Sequence, residues 1–412
     1  MQIVIMASGT RGDVQPMIAL GKALQATGHR VRVMAGSNFA AWVESHGLEA
    51  YPIIDMEALM QSELGVKWVE SSSQMEQLKF MKALLNENQE RYIADTINGT
   101  KGAELLIGGF VSEPFLQAIS EKFDIPQITA ALQPYRATRS GAASIAALLP
   151  RSDSVLNRWM GLIGERLTWS VAAEVVNELR KRLDLPPHTP ATYLKAMHKI
   201  RAIYGISPHV IADPTMRLTG YWFLDEDYTP PDDLVRFIES GDPPVYVGFG
   251  SMSSSDPART VNLIVDALAK VGKRGILIRG WSGASNIDLP NHVYLLDKTS
   301  HTWLFPKMAA IVHHGGAGTT AAALRAGKPM FIIPHLADQP YWGRRMHELG
   351  ISVKPIPRPK LTTENFTSSL DTLLKDAHIQ ANAAALGEKI RAENGVETVM
   401  NWITAFIRPS AR

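Results

Sequence analysis

The chain contains no cysteine. Disulfides, thiolate zinc sites and cysteine nucleophiles are therefore excluded, and the composition fits a reducing compartment. An excess of charge of one sign is missing as well. Lys and Arg number 42 against 40 Asp and Glu, a net charge of +2 over 412 residues. That balance speaks against a nucleic-acid binder working through a broad basic face. No apolar run reaches the roughly 20 residues of a membrane span. The opening Met1 to Ala7 is too short for a signal peptide and lacks a basic flank, so it reads as a first β-strand. The expectation is a cytoplasmic protein with no transmembrane segment, with peripheral membrane contact left open. A Walker loop, a dinucleotide fingerprint and a solenoid repeat are absent too.

What the chain does have is length for two domains and 45% apolar residues to fill them. Gln2 to Ala7 is a strand, followed by a loop of small residues and a helix over Pro16 to Thr27. Arg30 to Ala35 is the next strand. Leu105 to Ile107, Glu113 to Phe123 and Pro126 to Ala131 continue as strand, helix, strand. Such alternation means a parallel sheet with helices on both faces. Prolines and acids mark 214–244 as a connection. The βα rhythm restarts at Val245 to Phe249 and runs through Pro257 to Val271, Gly275 to Arg279, Val293 to Leu295, Ile311 to His313 and Met330 to Ile333. The division is thus an N-terminal domain over 1–213, a linker over 214–244, a second domain over 245–394 and a C-terminal segment over 395–412, in which Gly395 to Ile407 reads as an amphipathic helix.

The strongest chemical signal is His313-His314-Gly315-Gly316-Ala317-Gly318-Thr319-Thr320, between an apolar strand and a helix. Free backbone N–H groups and the helix dipole favour an anion at such a junction. Glycines let the backbone approach a phosphate, and a histidine or threonine can donate to it. A plain helix cap after a tight turn explains the loop about equally well. Gly248-Phe249-Gly250-Ser251-Met252 is a second such corner, also at a strand end, where parallel sheets bind ligands. Pro334-His335-Leu336-Ala337-Asp338-Gln339-Pro340 offers a carboxylate and an amide suited to vicinal hydroxyls. Asp13 ends the first loop. For Asp338 and Asp13 alike, helix capping is the default reading. No metal-binding Asp-x-Asp is read in the chain, and no acidic cluster is assigned to a metal.

Together, Gly9-Thr10-Arg11-Gly12-Asp13-Val14-Gln15-Pro16, Val247 to Met252, His313 to Thr320 and Asp338-Gln339-Pro340-Tyr341-Trp342-Gly343-Arg344-Arg345 resemble the family 1 glycosyltransferases. The branch is that of the bacterial and fungal sterol glucosyltransferases, near the macrolide and glycopeptide enzymes. The resemblance spans nearly the whole chain and is weakest over 57–104 and 141–208. It implies the α/β GT-B fold, two facing Rossmann-like doubly wound domains with a cleft between them. The donor nucleotide would bind the C-terminal domain and the acceptor the N-terminal one.

By the same resemblance, His314, Gly316, Gly318, Thr319 and Ser251 hold the donor diphosphate, Asp338 and Gln339 hold the sugar, and Asp13 is the catalytic base. The carboxylate that plant relatives use for ribose falls at Ala322, and the plant tryptophan near Lys298. Trp281 is the nearer candidate to cover the base, which leaves UDP favoured and TDP open. The implied reaction is inverting transfer from a nucleotide-sugar without cofactor or metal. Rivals are a TDP-sugar natural-product glycosyltransferase, a nucleotide-sugar epimerase and a non-catalytic binding module. The apolar stretch 141–187 interrupts the βα rhythm in the acceptor lobe. There Trp159, Met160 and Trp169 are expected to meet an apolar acceptor such as a sterol, flavonoid or polyketide, although ordinary core explains any one of them.

Overall fold

The computed structural model describes residues 1–71, 73–143, 153–249, 257–279, 289–297 and 299–407. The chain divides into two units. The first gathers Met1–Trp68, Met75–Leu224 and Glu393–Arg412; the second holds Val69–Gln74 and Asp225–Ala392. Each is built on one parallel sheet.

In the first unit β1 (Gln2–Ala7), β2 (Arg30–Gly36), β3 (Glu49–Ile53), β4 (Leu105–Gly108), β5 (Gln127–Ala131) and β6 (Arg201–Tyr204) lie in the order β3-β2-β1-β4-β5-β6. β1 is buried along its whole length, as a central strand covered on both faces must be. Its alternate side chains supply two cores. Ile3 and Ile5 pack with Val14, Ile18 and Leu20 of the helix Arg11–Ala26. Val4 and Met6 pack with Phe115 and Ile119, and with Trp169, Val175 and Leu179 of the long helix Val155–Arg182.

The first of these cores is completed from the far end of the chain. Val399 and Ile403 of the helix Gly395–Ile407 are buried in it. Arg217 lies 4.8 Å over the Trp402 ring and Arg201 5.2 Å over Phe406, fastening the helix from the side. Two sequence boundaries are corrected here. The C-terminal helix is part of the first unit, and the expected linker is divided at Leu224/Asp225, its helix Asp232–Glu239 belonging to the second unit. Proline density marked the crossover but not which core each side chain enters.

The second unit orders β7 (Val245–Gly248), β8 (Gly275–Ile278), β9 (Val293–Leu296), β10 (Ala310–His313) and β11 (Met330–Ile332) as β11-β10-β7-β8-β9. All pairs are parallel. Both sheets are therefore wound outward in both directions from their first strand. Each reverses direction once, between β1 and β4 in the first and between β7 and β10 in the second, and such switch points open a crevice at the strand ends. Among the described residues no helix is long and apolar enough to cross a membrane.

Candidate functional site

Asp13 stands at the first switch point. The helix that carries it starts at Arg11, earlier than the Pro16 expected from sequence, which puts Asp13 in its third position. There its Oδ2 accepts from the Thr10 backbone N–H at 2.8 Å and from the Thr10 hydroxyl at 3.3 Å. Gly9 has a φ of +147°, and a Cβ at that position would collide with the Asp13 carboxylate. The residue remains exposed. Desolvation by the surrounding protein nevertheless raises its pKa above the usual aspartate value, against the lowering effect of the Thr10 hydrogen bonds. We read these together as a carboxylate facing a pocket rather than bulk water.

That pocket is an open depression at the ends of β1, β4 and β5, with a cavity volume of about 30 Å³. Beside Asp13 its walls include Met17, Phe110, Val111, Leu132 and Gln133. Phe110 packs at 5.8 Å on Tyr135, whose hydroxyl donates to Glu113 at 2.6 Å. Glu113 is a buried carboxylate that also accepts from Thr129 and, at 3.2 Å, from Arg136. Burial drives its pKa up, opposed chiefly by Arg136. None of these wall and brace residues was singled out from sequence. An acid in the first turn of a helix is ordinary, and nothing in the pattern marks Glu113 as buried.

The second switch point holds the glycine-rich loop. The helix after β10 begins at Ala317, so Gly318 and Thr319 occupy its first turn. Its cap is Gly316, which has no side chain to occupy the free N–H groups. His314 lies beside that turn. A Cβ on Gly316 would stand 2.6 Å from His314 Nε2, so the ring needs the glycine. Desolvation lowers the His314 pKa to about 4, with the Gly248 backbone pulling slightly the other way. His335 falls to about 3 and His313 far below its usual value, both through burial. Burial thus favours the uncharged form of all three rings; His335 gives its Nδ1–H to the Ile333 carbonyl at 2.9 Å, and His313 Nδ1 accepts from the Gly315 N–H at 3.1 Å.

Asp338 and Gln339 follow β11. Asp338 precedes the helix Gln339–Glu348, and its Oδ2 accepts from Trp342 Nε1 at 2.7 Å rather than capping the helix. Gln339 is 4% exposed, and its Oε1 accepts from the backbone N–H groups of His335 at 2.8 Å and Leu336 at 3.0 Å. Gln339 thus braces the Pro334–Gln339 turn, where Ala337 is held at φ +55°, and Asp338 ties the turn to the helix that follows. Ser251 and Trp281 lie outside the described residues.

The three residues expected at the acceptor do not line the Asp13 pocket. Trp169 is 2% exposed and stacks on Tyr193 at 4.0 Å, which makes it core. Trp159 is 62% exposed and Met160 39%, on the outer face of the same helix. A further correction concerns acids. Asp225-Glu226-Asp227 does have Asp-x-Asp spacing, but Asp225 is held by Arg325 through two bonds of 2.5 and 3.0 Å. Among the described residues no group of three or more His, Asp or Glu is placed to hold a metal.

Residues 3–137 match the glycosyltransferase family 28 N-terminal domain, and residues 262–405 match the erythromycin biosynthesis protein CIII-like C-terminal domain. A sterol 3-beta-glucosyltransferase of Arabidopsis thaliana, UGT80B1, is 33% identical over 99% of this chain and 68% of its own length. The chain belongs to this family of glycosyltransferases. A sterol 3-beta-glucosyltransferase of Yarrowia lipolytica is 34% identical over 98% of the chain, which spans only 28% of that longer protein. Among solved structures, the calicheamicin glycosyltransferase CalG4 superposes with a TM-score of 0.72 at 15% identity, covering 100% of this chain and 99% of its own. The glycosyltransferase VinC, solved with dTDP, gives 0.68 at 19% identity, covering 98% and 99%. At those identities the likeness concerns the fold, and it is the GT-B glycosyltransferase fold that both sheets share.

Proposed function

We propose that this glycosyltransferase moves glucose from UDP-glucose to a hydroxyl of an apolar, sterol-like acceptor, with inversion at the anomeric carbon. The observation that carries the reading is the pair of switch points. One presents the exposed Asp13 carboxylate, its pKa raised, at a pocket walled by Met17, Phe110, Val111 and Leu132, and the other a helix N-terminus without a side-chain cap and with His314 beside it. In this reading the acceptor hydroxyl attacks the anomeric carbon as its proton passes to Asp13. The bond from that carbon to the diphosphate breaks, and the negative charge left on UDP is met by His314, Ser251 and the N–H groups at Gly318 and Thr319. Asp338 and Gln339 orient the sugar, Trp281 covers the base, and no metal takes part. The sterol names of the relatives and the Met17, Phe110, Val111 and Leu132 walls support an apolar acceptor.

The test is UDP release from UDP-glucose across a panel of sterols and phenols, with TDP-glucose run in parallel. Sterol-dependent release of UDP and a β-glucoside product are expected. Release equal with and without acceptor, or epimerised donor recovered in place of glycoside, overturns the reading. A preference for TDP-glucose replaces the donor and leaves the chemistry.

A further inference from the structure

The first half of the helix Val155–Arg182 is built the wrong way round for a surface helix of a globular unit. Toward the protein it presents Asn157, Gly161 and Gly164, all buried. Asn157 Nδ2 donates to the Arg139 carbonyl at 2.8 Å, and a Cβ on Gly161 would press on Ala137 at 2.7 Å. Glu165 is turned inward as well, accepting from the Ala137 backbone N–H at 2.7 Å and bonding His198 at 2.8 Å. The large apolar residues point out. Leu156, Trp159, Met160, Ile163 and Leu167 are all exposed. They recur at spacings of three and four, so they form one stripe. Beyond Trp169 the order is normal, with Val171, Val175, Val176 and Leu179 buried. Scattered exposed apolar side chains need no explanation, but a continuous stripe over a polar buried face does.

Charge says what covers it. Arg166 stands exposed at the Trp159 edge of the stripe, Arg158 is exposed about 100° further round the helix, and from Val155 to Leu167 the single acid is the inward-turned Glu165. Asp153, just before the helix, is bound to Arg139 at 2.7 Å. A face of Trp, Ile and Leu with arginines and no outward acid is the pattern of a helix lying in a lipid interface, with its rings at headgroup depth and its guanidinium groups on phosphates. A purely apolar partner would leave Arg166 unused, and a second copy of this stripe brings no outward acid to meet it.

We propose that this stripe docks the first unit on a lipid bilayer carrying anionic headgroups. It would meet an apolar acceptor where such molecules are dissolved. The inference rests on the proposed transferase reading only for that purpose. The binding itself is measured without donor or turnover, so failure of one and failure of the other are separate results.

The full chain is floated with phosphatidylcholine vesicles, with and without phosphatidylserine. Stronger recovery with the anionic vesicles is expected. Trp159→Ser with Ile163→Ser should lower that partition on the order of tenfold. Arg166→Gln should lower it about fivefold and Arg158→Gln by less, and the double variant should lose the preference for phosphatidylserine. Unchanged melting temperatures show that the variants are folded, as expected for exposed positions. No recovery with either vesicle, or equal recovery of wild type and variants, overturns the proposal. Self-association that disappears in Trp159→Ser without any vesicle binding assigns the face to a second copy and overturns it too.

Discussion

At Asp13 two roles compete, helix cap and general base, and one substitution separates them. Asparagine keeps an oxygen for the Thr10 N–H but cannot take a proton. Asp13→Asn should lower turnover by about 10²–10⁴-fold with UDP affinity unchanged, read by kinetics and calorimetry. The raised pKa adds a sign. A carboxyl that the fold prefers protonated makes the folded state less stable once pH passes through its elevated pKa, so at neutral pH the uncharged asparagine should hold or raise the melting temperature. The same shift places the acid limb of the wild-type kcat/KM profile above the ordinary aspartate value, because the base works only when ionised. Full turnover in Asp13→Asn would leave the cap as its sole role. On the donor side, His314→Ala should weaken UDP binding by about 1.5–3 kcal/mol. Gly316→Ala should also weaken it, although no side chain is removed, since the new Cβ displaces the His314 ring. Unchanged UDP affinity in both would remove the diphosphate from this loop.

Among the elements, the helix Val155–Arg182 divides into halves with opposite consequences. Trp169→Ala removes a stacked core ring and should cost about 3–5 kcal/mol, seen as a lower unfolding midpoint with acceptor preference intact. Trp159→Ala, on the exposed face, should stay within about 0.5 kcal/mol. Equal losses at both positions would mean that the outer stripe is also packed. Spacings of four put Trp159, Ile163 and Leu167 on one helical face but do not say which way that face points, and apolar stripes almost always point in. The small residues opposite, Gly161 and Gly164, held the missing signal. Elsewhere the sequence was easier to read. Glu113–Phe123 and Gly395–Ile407 have the limits that apolar spacing implies. The glycine corners fall at strand ends, where a parallel sheet puts its ligands. The start of the helix at Arg11 was missed because Pro16 looks like a first-turn residue and instead lies inside it. The pocket walls at Phe110, Val111 and Leu132 come from loops after β4 and β5, and loops carry no periodicity to read.

For the whole molecule, the connectivity makes one core depend on both ends of the chain. Val399 and Ile403 belong to the first unit although the 168 residues before Glu393, Asp225–Ala392, belong to the second. Glu393 is anchored there as well, accepting from Ser207 Oγ at 2.5 Å. Donor binding, in contrast, is proposed entirely for residues of the second unit. The two perturbations should therefore separate in a thermal unfolding experiment. Ile403→Ala leaves a cavity against β1 and the first helix and should destabilise the first unit by about 2–5 kcal/mol. UDP at about one hundred times its dissociation constant should stabilise the second by about 2.7 kcal/mol. Calorimetry is expected to show the variant lowering one transition and UDP raising the other, with the Ile403→Ala deficit unrepaired by ligand. If saturating UDP restores the midpoint lost in Ile403→Ala, the two units unfold as one cooperative body. The C-terminal helix would then be part of a single shared stability rather than a fastening of the first sheet alone.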